Sequence, residues 1–270
     1  MTTTRDLRER AGEKPITMLT AYDATTARLI DDCGIDVLLV GDSMATEALG
    51  YDSTLPVTVD DVERHTAAVA RGSDDALVVA DMPFLSVGVD EAETVRNAGR
   101  MLKDAGADAV KLESGPHTVE MTERLTQLGI PVMAHLGLTP QHVNQLGGYT
   151  RQGTTKAAAE EILSLARAHE DAGAFALVLE HVPANVAAQV TEALDIPTIG
   201  IGAGGNCDGQ VLVISDVLGL SENAPPFAEQ FGDVRAAMTD AIEAYKTAVD
   251  AGSFPADEHS HIEEGLDNLG

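Results

Sequence analysis

Two ten-residue segments of the chain are near copies of one another, and each ends on a carboxylate. Asp104-Ala-Gly-Ala-Asp-Ala-Val-Lys-Leu-Glu113 is echoed by Asp171-Ala-Gly-Ala-Phe-Ala-Leu-Val-Leu-Glu180. A third copy, Asp32-Cys-Gly-Ile-Asp-Val-Leu-Leu-Val-Gly-Asp42, carries one extra residue before its acid. In each copy Gly34, Gly106 or Gly173 suits a left-handed cap that ends a helix, and the apolar run behind it reads as a buried strand. A repeated unit of helix, glycine, apolar strand and acid predicts successive βα units around a parallel sheet.

The same alternation runs along nearly the whole chain. Strands are predicted at Pro15–Thr20, Asp36–Gly41, Leu77–Asp81, Ala109–Glu113, Pro131–His135, Ala176–Glu180, Pro197–Ile201 and Val211–Ser215. Helical spacing of apolar residues falls between them, at about Thr25–Asp32, Val59–Arg71, Glu91–Ala105, Val119–Leu128, Thr155–Ala172 and Val186–Leu194, with a final helix at Val234–Ala251. No full helix is expected around Gly202–Gln210. Eight strands in 270 residues match a single (β/α)8 TIM barrel, typically ~250 residues long. The barrel domain is expected over 1–256, including the extra C-terminal helix, with 257–270 as an acidic tail.

With 44% hydrophobic residues, 3% aromatic and no Trp, the core must be filled by Ala, Val, Leu and Ile, which suit barrel layers. Seventeen Lys and Arg against 44 Asp and Glu give a formal charge of -27, which repels nucleic acid and anionic membrane surfaces. The charge reads as a solvated acidic surface of the halophilic type rather than as part of the chemistry. Screening should relieve its self-repulsion, so the melting temperature is expected to climb across a series of rising salt concentrations; a flat or falling curve rejects salt adaptation. Cys33 and Cys207 are too few for a disulfide framework, and no stretch reaches the ~18 apolar residues of a membrane span. A cytoplasmic location is expected.

Active sites of parallel barrels form where the strands end. Asp42, Asp81, Glu113, His135 and Glu180 would meet there from five different strands, and Lys111, two residues before Glu113, shares its face. Clustered carboxylates raise one another's pKa unless a cation neutralises them, and a hard divalent ion such as Mg2+ is the usual resolution. Such an ion leaves positions open for a 2-oxo acid, whose enolate it stabilises while a spare carboxylate takes the adjacent proton. A single strand-end acid is more often a helix cap, and a lone histidine more often a satisfied core group; it is the coincidence of several that points to chemistry. Lys111 either neutralises Glu113 or meets a substrate carboxylate. Val178 stands in the second copy where Lys111 stands in the first, which leaves Glu180 without a nearby ammonium and makes it the more basic acid.

Other features stay open between two readings. Ser43 binds a carboxylate or caps a turn. Gly200-Ile-Gly-Ala-Gly-Gly205 cradles a phosphate or forms a tight turn. The long segment from Leu136 to Gly153 is a lid or a fixed wall. Arg151, a rare cation, holds an anionic substrate tail or pairs with a surface acid.

The segments Thr20-Ala-Tyr-Asp23, Val40-Gly-Asp-Ser43, Tyr51-Asp-Ser-Thr-Leu-Pro-Val-Thr58, Ala80-Asp-Met-Pro-Phe84, Val110-Lys-Leu-Glu113, His135-Leu-Gly-Leu-Thr-Pro-Gln141, Gly147-Gly-Tyr149, Leu179-Glu180 and Gly200-Ile-Gly-Ala-Gly204 are together specific. Over roughly Lys14 to Ser260 the chain resembles the ketopantoate hydroxymethyltransferase family, barrels of the phosphoenolpyruvate/pyruvate superfamily type. The resemblance implies transfer of a one-carbon unit from 5,10-methylenetetrahydrofolate to 3-methyl-2-oxobutanoate, giving 2-dehydropantoate for pantothenate and coenzyme A synthesis. It also implies Mg2+ near Asp42, Asp81 and Glu113, substrate contacts from Asp42, Ser43, Asp81 and Lys111, and Glu180 as proton acceptor. His135 matches an active-site position, and a homo-oligomer, often a decamer, is implied. Met44-Ala45 and Ser114-Gly115 depart from the Leu-Gly and Gly-Gly common in relatives, which touches local loop shape only.

A rival within enzymes is a barrel of the phosphoenolpyruvate mutase and isocitrate lyase kind. Neither Cys33 nor Cys207 supplies the reactive loop cysteine typical of such lyases. A non-catalytic metal- or metabolite-binding barrel would not need a base such as Glu180 separate from the metal acids.

Overall fold

A computed structural model describes residues 1–221 and 223–264; the last six residues of the expected acidic tail, 265–270, lie outside the described residues. Eight parallel strands close into a barrel in chain order: β1 (Ile16–Thr20), β2 (Val37–Val40), β3 (Leu77–Asp81), β4 (Ala109–Glu113), β5 (Val132–Gly137), β6 (Ala176–Glu180), β7 (Thr198–Ile201) and β8 (Gly209–Leu212). The sheet closes through β1, whose Met18 lies opposite Val211 of β8. Helices α1 (Thr4–Glu9), α2 (Ala24–Asp32), α3 (Met44–Glu47), α4 (Val59–Ala70), α5 (Glu91–Lys103), α6 (Val119–Gln127), α7 (Val143–Leu146), α8 (Lys156–Asp171), α9 (Ala184–Ala193), α10 (Ile214–Leu218) and α11 (Val234–Asp250) accompany the strands, with short 3-10 turns at Pro116–Thr118, Pro140–His142 and Asp257–His259. The predicted repeat is visible in the backbone: Gly34, Gly106 and Gly173 all take positive φ, at 76°, 81° and 91°, between a helix and the next strand.

Alternation along the strands divides the core in two. Met18, Leu39, Val79, Ala109, Met133, Val178, Ile199 and Val211 fill the barrel interior, while Ala134, Leu136, Leu177 and Leu179 point outward to meet Ile162, Ala166 and Val190 of α8 and α9. The N-terminal end of the interior is plugged by Leu7 of α1, 1% exposed, and by Phe175. Sequence periodicity missed α1, although Thr3 and Asp6 form the reciprocal cap that marks a helix start.

The chain divides into two compact units, one of residues Met1–Ile214 with Pro225–Ala228 and one of Ser215–Ala224 with Glu229–Gly270. The first holds the barrel. In the second, Asp233 caps α11 through Ala236 N, and Arg235 donates to the Leu220 carbonyl at 2.7 Å. Among the described residues no helix is long and apolar enough to cross a membrane.

Candidate active site

Strand phase alone aims most of the predicted residues inward. Asp81, Lys111, Glu113, His135 and Glu180 lie an even number of positions from Val79, Ala109, Met133 and Val178, all interior residues of the same strands. Register then brings them together: Asp81 is opposite Lys111, and Glu113 is opposite His135. Asp42 arrives differently. Its strand ends at Val40, and the extra residue of the third repeat lets the chain turn at Gly41 so that Asp42 N donates to Asp81 Oδ2 at 3.3 Å. The last residue of β5 must be a glycine. Gly137 has φ 99°, and a Cβ there would sit 2.2 Å from the carbonyl oxygen of Glu180.

A line of polar contacts crosses the site. Lys111 Nζ lies 2.8 Å from Asp81 Oδ2 and 3.2 Å from His135 Nδ1, and His135 Nε2 lies 3.1 Å from Glu180 Oε2. An ammonium is only a donor, so Nδ1 accepts from Lys111. Burial, and then the Lys111 charge, hold His135 well below its ordinary pKa, so the ring is neutral and its single proton sits on Nε2 beside Glu180. That N–H is buried and has no aligned hydrogen-bond acceptor in the protein, which leaves it available to a substrate oxygen. The histidine is thus neither a satisfied core residue nor a carboxylate-bound imidazolium.

Gln141, which sequence reasoning did not select, joins two of the acids. Its backbone N–H donates to Glu113 Oε2 at 3.0 Å, and its side-chain amide donates to Asp42 Oδ2 at 2.9 Å and to the Met82 carbonyl at 3.0 Å. A neutral amide carries no periodic or charge signal. The available signal was Pro140, which starts the short 3-10 turn Pro140–His142 and fixes the segment behind β5. With Gln141 buried and α7 following directly, this part of the long segment is a wall rather than a lid. Tyr22 was also missed; its hydroxyl lies 2.9 Å from Ser43 Oγ. Ser43 sits at the start of α3 but makes no side-chain cap, so its ordinary-cap reading fails.

Burial dominates the electrostatics. It pushes Asp81 up to about 7 against the pull of Lys111, and Glu180 up to about 7 against Lys111 and His181. Burial, with Asp42 adding to it, raises Glu113 well above the usual carboxylate range, and Asp42 is raised by burial too. For Lys111 burial opposes the charge, but Asp81, Asp42 and Glu113 together outweigh it and raise its pKa, keeping the ammonium charged. The expected contrast between Glu113 and Glu180 is therefore corrected. Both are raised, because inside a barrel the ammonium acts across the lumen on Glu180 as well as along its own strand, and depth decides the result. Lys111 is bound to Asp81 rather than neutralising Glu113.

The acids fit a hard cation in one respect that the protein itself leaves unmet: Asp81 Oδ1 is buried without a partner, while Oδ2 is taken by Lys111 and Asp42 N. Among the described residues no three His, Cys, Asp or Glu side chains form a ready-made ligand cage. One or two carboxylates completed by water and substrate is the coordination that Mg2+ favours.

The remaining candidates resolve as follows. In the Gly200–Gly205 turn, a Cβ on Gly202 would meet the Phe227 ring at 2.8 Å and one on Gly204 would meet Ala184 at 2.4 Å, so close packing accounts for these glycines. Arg151 is exposed and, among the described residues, makes no ion pair, which does not support the reading that it pairs with a surface acid.

The family model described as ketopantoate hydroxymethyltransferase matches residues 1–257. A protein of Haloarcula marismortui named 3-methyl-2-oxobutanoate hydroxymethyltransferase is 69% identical over 269 residues, covering 100% of both chains. One of the same name from Geobacter metallireducens is 52% identical over 251 residues, 93% of this chain and 94% of that one. Among solved structures, phosphoenolpyruvate phosphomutase from Streptomyces platensis subsp. rosaceus superposes with TM-score 0.63 at 15% identity, covering 96% of this chain and 92% of the other. A 2,3-dimethylmalate lyase of the PEP mutase/isocitrate lyase superfamily gives 0.60 at 18% identity, with 97% and 92% covered. The rival lyase reading thus shares only the barrel, whereas sequence similarity extends over the full chain to the hydroxymethyltransferases, and the chain belongs to the ketopantoate hydroxymethyltransferase family.

Proposed function

We propose that this transferase moves a hydroxymethyl group from 5,10-methylenetetrahydrofolate to C3 of 3-methyl-2-oxobutanoate at the mouth of its barrel, with Mg2+ bound by Asp42, Asp81 and Glu113. The observation that carries this reading is the pairing of Glu180, poised near neutrality, with a neutral His135 whose proton faces it. A bound Mg2+ would supply Lewis-acid stabilisation for negative charge on the keto oxygen. Ser43 and Lys111 are the donors for the oxygens of the 2-oxo acid. Glu180 takes the C3 proton, and the electron pair left on C3 forms the new bond to the donor's methylene carbon. Water supplies the hydroxyl oxygen: it adds to the methylene carbon, both carbon–nitrogen bonds to the donor break, and its two protons go to the nitrogens of the departing tetrahydrofolate. The one-carbon unit so released at the formaldehyde level accepts the C3 electron pair, its oxygen taking back the proton held by Glu180. His135, its Nδ1 held by Lys111, presents its Nε2 proton to a substrate oxygen beside Glu180.

Assembly into a homo-oligomer, with a decamer as the family resemblance implies, is supported by the exposed stripe Met238, Ile242, Tyr245 and Val249 on α11. Two free cysteines fit a reducing cytoplasm. The function is tested by incubating the protein with 3-methyl-2-oxobutanoate, methylenetetrahydrofolate and Mg2+. Formation of 2-dehydropantoate, lost with chelator and regained with Mg2+, is expected. Turnover that persists in excess chelator overturns the metal assignment, and absence of product overturns the substrate assignment.

A further inference from the structure

We infer that the groove between the N-terminal ends of α8 and α9 binds the anionic tail of the one-carbon donor, an aromatic amide ending in glutamate carboxylates. The inference rests on the folate reading above. The groove encloses about 530 Å³, within the range of small-molecule sites, and Arg151, Thr154, Lys156, Leu163, Asn185 and Val186 are among its lining. Its apolar side chains suit an aryl ring and its two cations suit carboxylates, outnumbering the one acid of the lining, Glu160.

Its place and its charge single it out. Every connection leaving the C-terminal end of a strand borders the catalytic face, and among the described residues Arg151 is the sole lysine or arginine in any of them; Lys156 begins the helix that follows. Asp23, Glu47, Asp52 and Asp90 stand in the other connections. In a chain of net charge -27, a dicarboxylate leaving the barrel mouth finds its attraction on this side. Among the described residues Arg151 is exposed with no acid in ion-pair contact with its guanidinium, and Lys156 has only a loose contact to Glu160 at 3.6 Å. The groove also starts beside the chemistry. Gln152 N donates to the His181 carbonyl at 3.1 Å, and His181 follows Glu180 directly. Pro183, a groove residue, is three positions from Glu180, so its Cα is at most ~10 Å from that of Glu180. A donor whose methylene carbon sits at C3 of the substrate has its tail within reach of the groove.

The test measures KM for methylenetetrahydrofolate and for the corresponding methylenetetrahydropteroate, which lacks glutamate, in wild type, Arg151→Ala and Arg151→Ala/Lys156→Ala at one salt concentration. Exchange of the C3 proton of 3-methyl-2-oxobutanoate, run without donor, reports whether the barrel and its substrate site are intact. Loss of a charged contact is expected to raise KM for the folate on the order of tenfold, and that for the pteroate little, so that the two donors become alike in the double variant. Unchanged KM for the folate, or an equal rise for both donors, overturns the assignment of the groove. Exchange without any turnover of the folate in wild type overturns the folate reading and the groove with it.

Discussion

Replacing Glu180 with glutamine slows exchange of the C3 proton of 3-methyl-2-oxobutanoate by on the order of 10²–10⁴, the usual contribution of a general base. The amide keeps the shape of the acid. It keeps its place 3.1 Å from His135 Nε2, and Asp42, Asp81 and Glu113 are untouched. Binding of the 2-oxo acid and Mg2+ should therefore survive. Deuterium incorporation followed by NMR, without folate, isolates the step from the later transfer. The native profile should also rise with pH, because only ionised Glu180 can accept a proton. Burial places its pKa at about 7 without metal, and a cation bound nearby lowers it, so the inflection is expected at or below about 7. The titratable groups facing it are Lys111, His181, Asp42 and Glu113, with His135 neutral between. Wild-type exchange in Glu180→Gln would hand the role to another group.

The repeat made this acid legible. A period-two strand with an acid at its inward end fixes where the carboxylate points, so Asp81, Glu113 and Glu180 were placed from one dimension of information. What the pattern could not carry was distance across the lumen. Lys111 follows from the sequence as a neighbour of Glu113, yet its closest acid is Asp81 of the adjacent strand, a contact set by register between β3 and β4. Gln141 escaped for the complementary reason: its three donated bonds depend on where a loop crosses the barrel mouth. The last strand was displaced too. Val211–Ser215 was expected, but β8 is Gly209–Leu212, and Ile214 N donates to Thr20 Oγ1 as the chain turns into α10. Glycine disfavours strands, which hid Gly209, whose missing Cβ lets β1 approach: a Cβ there would meet the Ile16 carbonyl at 2.5 Å.

Asp81→Asn is expected to weaken Mg2+ binding on the order of 10²-fold or more, beyond the 10–100-fold typical of a residue that only supports a ligand. In the native protein Oδ2 of Asp81 already accepts from Lys111 Nζ and Asp42 N, and Oδ1 is buried with nothing to bind. In the asparagine variant the one remaining oxygen faces the choice between those two donors and the cation. The ammonium holds it, because a buried charge left without its partner is costly, and the NH2 group then takes the position of Oδ1 and presents hydrogens to the metal. Lys111 would also lose the leading source of its stabilisation and lean further toward Asp42 and Glu113, drawing charge away from the acids left for the ion. Calorimetric titration of Mg2+, with and without the 2-oxo acid, should show both affinities falling together while the melting temperature reports an intact barrel. Native Mg2+ affinity in Asp81→Asn would mean that the unpartnered oxygen serves something other than the metal.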